Sequence, residues 1–115
     1  MTEHEWNIYK EAADFLDLFG CDCGLIGYYY FVEMVYIIRA KWREKGEEYP
    51  VVGEIVRNMC KMHGTFPRAF WTNVRRAVLP VLSADDCVLQ AYGIALKKRT
   101  SSELACALAD FLENR

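Results

Sequence analysis

The sequence predicts an all-α fold: a single compact domain of six helices that spans residues 1–115. Apolar residues recur at three- and four-residue spacing along most of the chain, and residues that start or end helices separate these segments. No segment gives a clear strand prediction. With 53% apolar residues, the chain can form a hydrophobic core without metals or disulfides.

The first two predicted helices lie in the N-terminal part of the chain. Apolar side chains at helical spacing over residues 6–19 predict the first helix, which Gly20 ends. The second covers residues 25–42. Its aromatic stretch at 28–32 favours a strand by propensity. The apolar segment is longer than a strand, however, and no turn residue interrupts it before Arg39, so we expect a buried helix.

The third and fourth helices are predicted on either side of a turn at residues 64–67. The apolar stripe of the third helix consists of Val51, Val52, Ile55, Val56, Met59 and Met62. Pro67 suits the first turn of the fourth helix. The apolar side of that helix carries Phe70, Val74, Ala77, Val78 and Val81. We expect Pro80 to kink or end it, because proline lacks a backbone donor and clashes with the preceding turn.

Start and stop signals define the last two helices. Residues 83–86 start the fifth helix, and Gly93 ends it. Thr100 and Glu103 have the spacing of a capping box at the start of the sixth. The side chains of that helix that we expect to face inward are Leu104, Leu108, Phe111 and Leu112.

Composition excludes several classes of protein. A net charge of −2 and a pI near 5.7 exclude a protein that coats nucleic acid through net charge alone. A charged fraction of 26% with 14% aromatic residues excludes disorder. The sequence contains no uncharged apolar run of membrane-spanning length, and acids occupy the N-terminus where a signal peptide needs basic residues. We therefore expect an unprocessed cytoplasmic protein, and the odd count of five cysteines fits a reducing compartment.

Charge is distributed unevenly along the chain. Residues 55–84, hereafter the basic window, contain no acid. The window carries a charge of +5, so the rest of the chain carries −7. It coincides with a predicted helix, a short turn containing Gly64 and a second helix, which is the outline of a helix-turn-helix.

One face of the fourth helix suits a nucleic-acid groove. Arg68, Trp71, Thr72 and Arg75 fall on this face by helical spacing, and Arg76 borders it. Arginine can form paired hydrogen bonds with guanine or contact phosphate, and threonine can contact either. The alternative interpretation is a solvated basic face on an ordinary helical domain.

Sites for metal ions or catalysis have little support. Cys21, Cys23, Cys60 and His63 have spacing that zinc tolerates, but the two pairs do not form a recognised zinc motif. The chain has no phosphate-binding glycine loop and no nucleophile motif near either histidine. We interpret Glu33 as a structural hydrogen-bonding or ion-pairing residue. We therefore expect no catalytic residue, no metal and no cofactor, and a protein that is not an enzyme.

Three stretches match one family pattern in the same order. The first match consists of Gly20, Gly27, Tyr28, Tyr30 and Glu33. The second, at the turn and the fourth helix, consists of Thr65, Pro67, Phe70, Val74, Arg75, Ala77 and Val78. The third consists of Thr100, Ser102, Glu103, Leu104, Ala109, Asp110 and Leu112. Over about residues 14–115 the chain resembles the C-terminal DNA-binding effector domain of the stage-zero sporulation protein A family, the sporulation response regulators.

This resemblance implies a bacterial transcription-factor domain of six helices. Its third and fourth helices would form the helix-turn-helix, with the fourth helix, about residues 67–79, in the major groove of double-stranded DNA. The receiver domain that precedes this module in the family has no counterpart in residues 1–115, so control by phosphorylation does not carry over.

Three positions depart from the family pattern. The family usually has Arg, Glu and Arg where this chain has Ala69, Trp71 and Thr72, and those positions read bases in the family. Arg75 matches a family arginine, and Arg76 replaces a histidine. We therefore expect that the scaffold and part of the phosphate contacts are kept and that sequence specificity is altered.

The sequence thus predicts a DNA-binding transcription regulator. The residues expected to contact DNA are Lys61, Thr65, Arg68, Trp71, Thr72, Arg75 and Arg76, with Arg57 as a weaker candidate for a phosphate contact. The alternative is a protein-interaction module that has lost specific DNA binding and pairs with another regulator, with an exposed Trp71 as its anchor. A homodimer and a contact with RNA polymerase or a second regulator remain open, and no contact with a membrane is expected.

Overall fold

The computed structural model describes residues 2–45 and 51–114, and over these ranges the chain forms six α-helices and no strand. The helices are α1 (Glu3–Leu18), α2 (Ile26–Lys45), α3 (Val52–His63), α4 (Pro67–Leu82), α5 (Asp86–Ala91) and α6 (Ser101–Asn114). They pack into a globule with a radius of gyration of 13.3 Å. The prediction of an all-α, six-helix fold is confirmed.

The aromatic segment at 28–32 belongs to a helix, as predicted. Helix α2 contacts α1, α3, α4 and α6, so it forms the centre of the domain. Its fully buried side chains include Phe31, Val32 and Met34. Burial against four neighbouring helices outweighs the strand propensity of this segment.

Gly27 allows α2 and α4 to approach each other closely. A Cβ atom at this position would lie 1.9 Å from the backbone oxygen of Asn73 in α4. No side chain fits between the two backbones there. At the other end of the α1–α2 connection, Gly20 has a φ of +75°, which fits its predicted role in ending α1.

Helix α3 and helix α4 are joined by the three residues Gly64, Thr65 and Phe66. Gly64 adopts the left-handed conformation, and Pro67 is the first residue of α4, as predicted. The predicted apolar stripe of α3 is buried in its middle and exposed at its ends. Val51 precedes the helix and is 62% exposed, whereas Met62 lies in the last turn and is 73% exposed.

Pro80 does not end α4, which continues to Leu82. The proline is exposed, so water can reach the backbone carbonyl that loses its partner. The C-terminal end of the helix is instead stabilised by a residue outside the helix. The Arg99 guanidinium donates hydrogen bonds to the carbonyl oxygens of Leu82 and Ala84, at 2.8 and 2.6 Å, and pairs with Asp86 of α5.

Only half of the predicted capping box forms at α6. The Thr100 hydroxyl accepts from the backbone N–H of Glu103 at 3.1 Å. The Glu103 carboxylate does not return to Thr100 but accepts from the N–H groups of Lys97, Lys98 and Arg99. Of the four side chains expected to face inward, Leu104, Leu108 and Leu112 are buried and Phe111 is half-buried.

Candidate nucleic-acid interface

The five basic side chains of the basic window are all exposed. They are Arg57 and Lys61 on α3 and Arg68, Arg75 and Arg76 on α4. None of them forms an ion pair or a side-chain hydrogen bond with another described residue. No acid between residues 55 and 84 is available to pair with them locally. Their charges therefore face solvent uncompensated.

The described arginines outside the window behave differently. Arg39 and Arg43 both pair with Glu113, with N–O distances of 2.7 and 2.8 Å, and Arg99 pairs with Asp86. These three side chains have structural roles. The arginines inside the basic window are thus unpaired, and the described arginines outside it are paired.

The exposed face of α4 contains Arg68, Thr72 and Arg75, as predicted. The Thr72 hydroxyl donates to the backbone oxygen of Arg68 at 2.9 Å. Its hydrogen is thus used within the helix, and its oxygen remains an acceptor. Such an acceptor suits an amino group on a base edge.

Trp71 does not lie on this exposed face. It is half-buried and packs edge-on against Phe70, with ring centroids 5.5 Å apart and an interplanar angle of 87°. At 100° per residue, Trp71 lies on the border between the core stripe and the face that carries Arg68. The expectation of an exposed tryptophan is therefore wrong.

A shallow depression on one flank of α4 contains two residues that the sequence analysis missed. It is lined by Phe66, Arg68, Ala69, Thr72 and Asn73. Phe66 is 79% exposed, although an aromatic residue next to a helix usually packs inward. Asn73 supplies a carboxamide, the group that pairs with adenine in a major groove. Asn73 could have been identified from its position next to Thr72 in the sequence. No sequence pattern indicated that Phe66 would be exposed.

The connection between α3 and α4 is held by α2 beneath it. His63 Nε2 lies 2.9 Å from Glu33 Oε2. The Tyr30 ring lies 5.0 Å from both the His63 ring and the Phe70 ring. These contacts agree with the structural role predicted for Glu33. They position the end of α3, which carries the exposed Lys61, and the half-buried Thr65 of the connection next to the start of α4.

The cysteine pairs do not meet to form a metal centre in the described residues. Cys21 and Cys60 are buried and Cys23 is exposed, and no group of three or more His, Cys, Asp or Glu side chains in residues 2–45 and 51–114 is placed to hold a metal ion. Burial, with a smaller contribution from the charge of Asp17, raises the pKa of Cys21 to about 11. Burial also raises the pKa of Cys60.

No helix within residues 2–45 and 51–114 has the length and apolar character needed to cross a lipid bilayer. Comparisons of the chain with protein-family models, with curated proteins and with solved structures found no significant match.

Proposed function

We propose that this protein is a DNA-binding transcription regulator of the sporulation-regulator type. In this proposal α3 and α4 act as a helix-turn-helix, and α4 enters the major groove. The observation that carries the proposal is the set of four unpaired, exposed arginines on α3 and α4, in a chain whose other described arginines are all paired. Unpaired, exposed cationic side chains are what a phosphate backbone attracts.

The position of Arg68 supports a role in base contacts. It is the second residue of α4, and recognition helices place their N-terminal residues at base edges. Thr72 and Asn73 line the same depression and supply an acceptor and a carboxamide. Arg75 and Arg76 lie further along the helix, where contacts to phosphate are expected. Ala69 provides no polar group, so we expect a target sequence that differs from that of the family.

The proposal is tested by measuring duplex binding over a salt series by fluorescence anisotropy. Wild-type protein should bind random-sequence DNA at about 50 mM salt, and log K should fall linearly with log salt by several units of slope. Replacing Arg75 and Arg76 with alanine should weaken binding to all sequences alike and reduce the slope by about one per lost contact. Lys10→Ala, an exposed cation outside the window, is the matched control and should change little. Absence of duplex binding at about 50 mM salt would refute the proposal.

Binding to a preferred DNA site, selected from random sequences, distinguishes base-specific contacts from general electrostatic attraction to DNA. Arg68→Ala should cost about 1–3 kcal/mol of binding free energy on the preferred site and much less on random DNA. Equal losses on both kinds of DNA would assign Arg68 to a phosphate instead.

The exposed apolar residues beside the α3–α4 connection favour a second candidate, the protein-interaction module. Phe66 is 79% exposed and Met62 is 73% exposed. Exposed aromatic side chains often anchor protein interfaces, whereas Trp71 is half-buried and a poorer anchor. Sedimentation and DNA binding of Phe66→Ala separate the two functions. Loss of a dimer with intact DNA binding would favour the interaction module, and lost DNA affinity in a monomer would favour the regulator.

A further inference from the structure

The depression on the flank of α4 has a mostly apolar lining. Phe66, Ala69 and Asn73 are spaced three and four residues apart, so they follow one another along one side of the helix, and Arg68 and Thr72 complete the lining. Phe66 directly precedes α4 and is 79% exposed, and Ala69 is exposed as well. The short side chain of Ala69 leaves open the space between the two larger ones. The result is an apolar concavity at the start of the candidate DNA-binding face.

Two free polar groups also line this depression, the Asn73 carboxamide and the Arg68 guanidinium. The Asn73 side chain is half-buried and forms no hydrogen bond with a described residue. The Thr72 hydroxyl, by contrast, donates its hydrogen to the backbone oxygen of Arg68. None of the five lining residues is an acid, so the depression supplies no carboxylate for the amino group of cytosine. Its free hydrogen-bonding groups are therefore those that suit adenine and guanine.

The charges around the depression favour DNA over a protein as its occupant. Lys61, Arg75 and Arg76 are exposed and form no ion pair with a described residue, and neither does Arg68. Each of these cations is attracted to the phosphates of a duplex, whereas an apolar protein segment is not attracted by them. The apolar group that fits the depression is then carried by the duplex itself. In the major groove that group is the C5-methyl of thymine.

We propose that this depression contacts a thymine and an adenine in the major groove: Phe66 and Ala69 pack against the thymine C5-methyl group, and the Asn73 carboxamide pairs with the adenine edge. The inference rests on the proposed function, since it requires α4 in the groove. Alanine and phenylalanine are side chains that contact this methyl group, and asparagine forms paired hydrogen bonds with N6 and N7 of adenine. The preferred DNA site therefore contains an A·T pair where the depression lies, and these three residues determine specificity there.

The first test removes the methyl group and leaves base pairing intact. In a preferred duplex selected from random sequences, each thymine is replaced in turn by deoxyuridine, and binding is measured by fluorescence anisotropy. At one thymine, wild-type protein should bind the deoxyuridine duplex about fourfold more weakly, because one methyl group is no longer buried. Phe66→Ala should bind the two duplexes nearly equally. The Phe66 side chain makes no capping hydrogen bond and is exposed, so this variant should fold.

Met62→Ala is the matched control, because Met62 is also apolar and exposed and lies near the same connection but does not line the depression. This variant should keep the wild-type preference for thymine. If wild-type protein binds the selected duplex and no deoxyuridine weakens it, or if Phe66→Ala keeps the preference, the inference is refuted while the proposed function stands. Loss of a dimer in Phe66→Ala with the preference unchanged would also refute it and assign Phe66 to a protein interface. If wild-type protein binds no duplex at about 50 mM salt, the proposed function fails and the inference fails with it.

The second test examines the adenine contact with 7-deazaadenine, which lacks the N7 acceptor. Placed at each adenine of the selected duplex in turn, it should weaken binding of wild-type protein about fivefold or more at one position. Asn73→Ala should bind the unmodified duplex more weakly and show no further loss with 7-deazaadenine, and alanine suits a helix, so the fold should be kept. Asn58→Ala removes an exposed asparagine of α3 that does not line the depression, and it should keep the full sensitivity. Equal sensitivity of the two variants would refute the contact between Asn73 and adenine.

Discussion

At the scale of single residues, the close approach of α2 and α4 depends on the absence of one side chain. The backbone of α4 at Asn73 occupies the space that a Cβ atom of Gly27 would take. The same helix carries the candidate DNA-binding face. A residue that contacts no DNA in the proposal thus sets the position of the residues that do.

Gly27→Ala should destabilise the domain strongly. The added methyl group would meet backbone atoms, which cannot rotate away, so we expect a loss of about 3 kcal/mol in the free energy of unfolding, the upper end for overpacking. Gly53→Ala is the control: the site is exposed, helical and open, and the change should stabilise by up to about 1 kcal/mol. Urea unfolding followed by circular dichroism measures both. A Gly27→Ala protein as stable as wild type would show that the helices have room to separate.

At the scale of helices, a buried arginine ties three of them together. Arg39 of α2 has a side chain only 3% exposed. It donates to Glu113 of α6 at 2.7 Å and to the backbone oxygen of Ile8 in α1 at 3.2 Å. Arg43, one turn further along α2, donates to both carboxylate oxygens of Glu113. Glu113 therefore links α6 to α2 through two arginines.

This linkage predicts a dependence of stability on acid. Burial alone would raise the pKa of Glu113, but the hydrogen bonds and charges of Arg43 and Arg39 outweigh it and lower that pKa. The contribution of Glu113 is complete above its unfolded-state pKa and is lost as the pH falls through the lowered folded-state value. Glu113→Gln should cost about 1–3 kcal/mol at neutral pH and flatten the decline of stability in acid. Glu54→Gln, at an exposed residue whose carboxylate forms no hydrogen bond with a described residue, should leave the pH profile unchanged. Equal profiles for the two variants would rule out this role.

The helices were predictable from the sequence because their signals are local. Gly20, Gly93 and the start of α4 at Pro67 lie where the local sequence placed them. The sequence did not predict the partners of Glu103 or the continuation of α4 past Pro80. Those outcomes depend on loop geometry and on solvent access, which are settled only when the helices pack.

The candidate site was predictable to a similar degree. Helical spacing placed Arg68, Thr72 and Arg75 on one exposed face correctly. It misplaced Trp71, because a residue 60° from the centre of that face becomes half-buried once α4 packs against its neighbours.

At the scale of the whole molecule, charge and packing are organised differently. The +5 charge of the basic window and the −7 charge of the remaining chain separate along the sequence. The hydrophobic core is not divided between these two parts of the chain, because α2 contacts α1, α3, α4 and α6. We therefore expect a force or a ligand that acts on α4 to affect the stability of the whole domain through α2.

Thermal unfolding should consequently be a single transition, and DNA should shift all of it. Circular dichroism and tryptophan fluorescence should report the same midpoint, because no long helix packs independently of α2. If the protein binds DNA as proposed, duplex at about 100 times its Kd should stabilise the folded state by about 2.7 kcal/mol, which should raise the midpoint of a domain of this size by roughly 10 °C. The Arg75→Ala/Arg76→Ala variant should unfold at the wild-type midpoint without DNA, since both side chains are exposed and unpaired, and it should lose most of the shift with DNA. Lys10→Ala should retain the full shift. Two separate transitions would contradict the central role of α2. An undiminished shift of the midpoint in the double variant would show that DNA does not bind through these residues of α4.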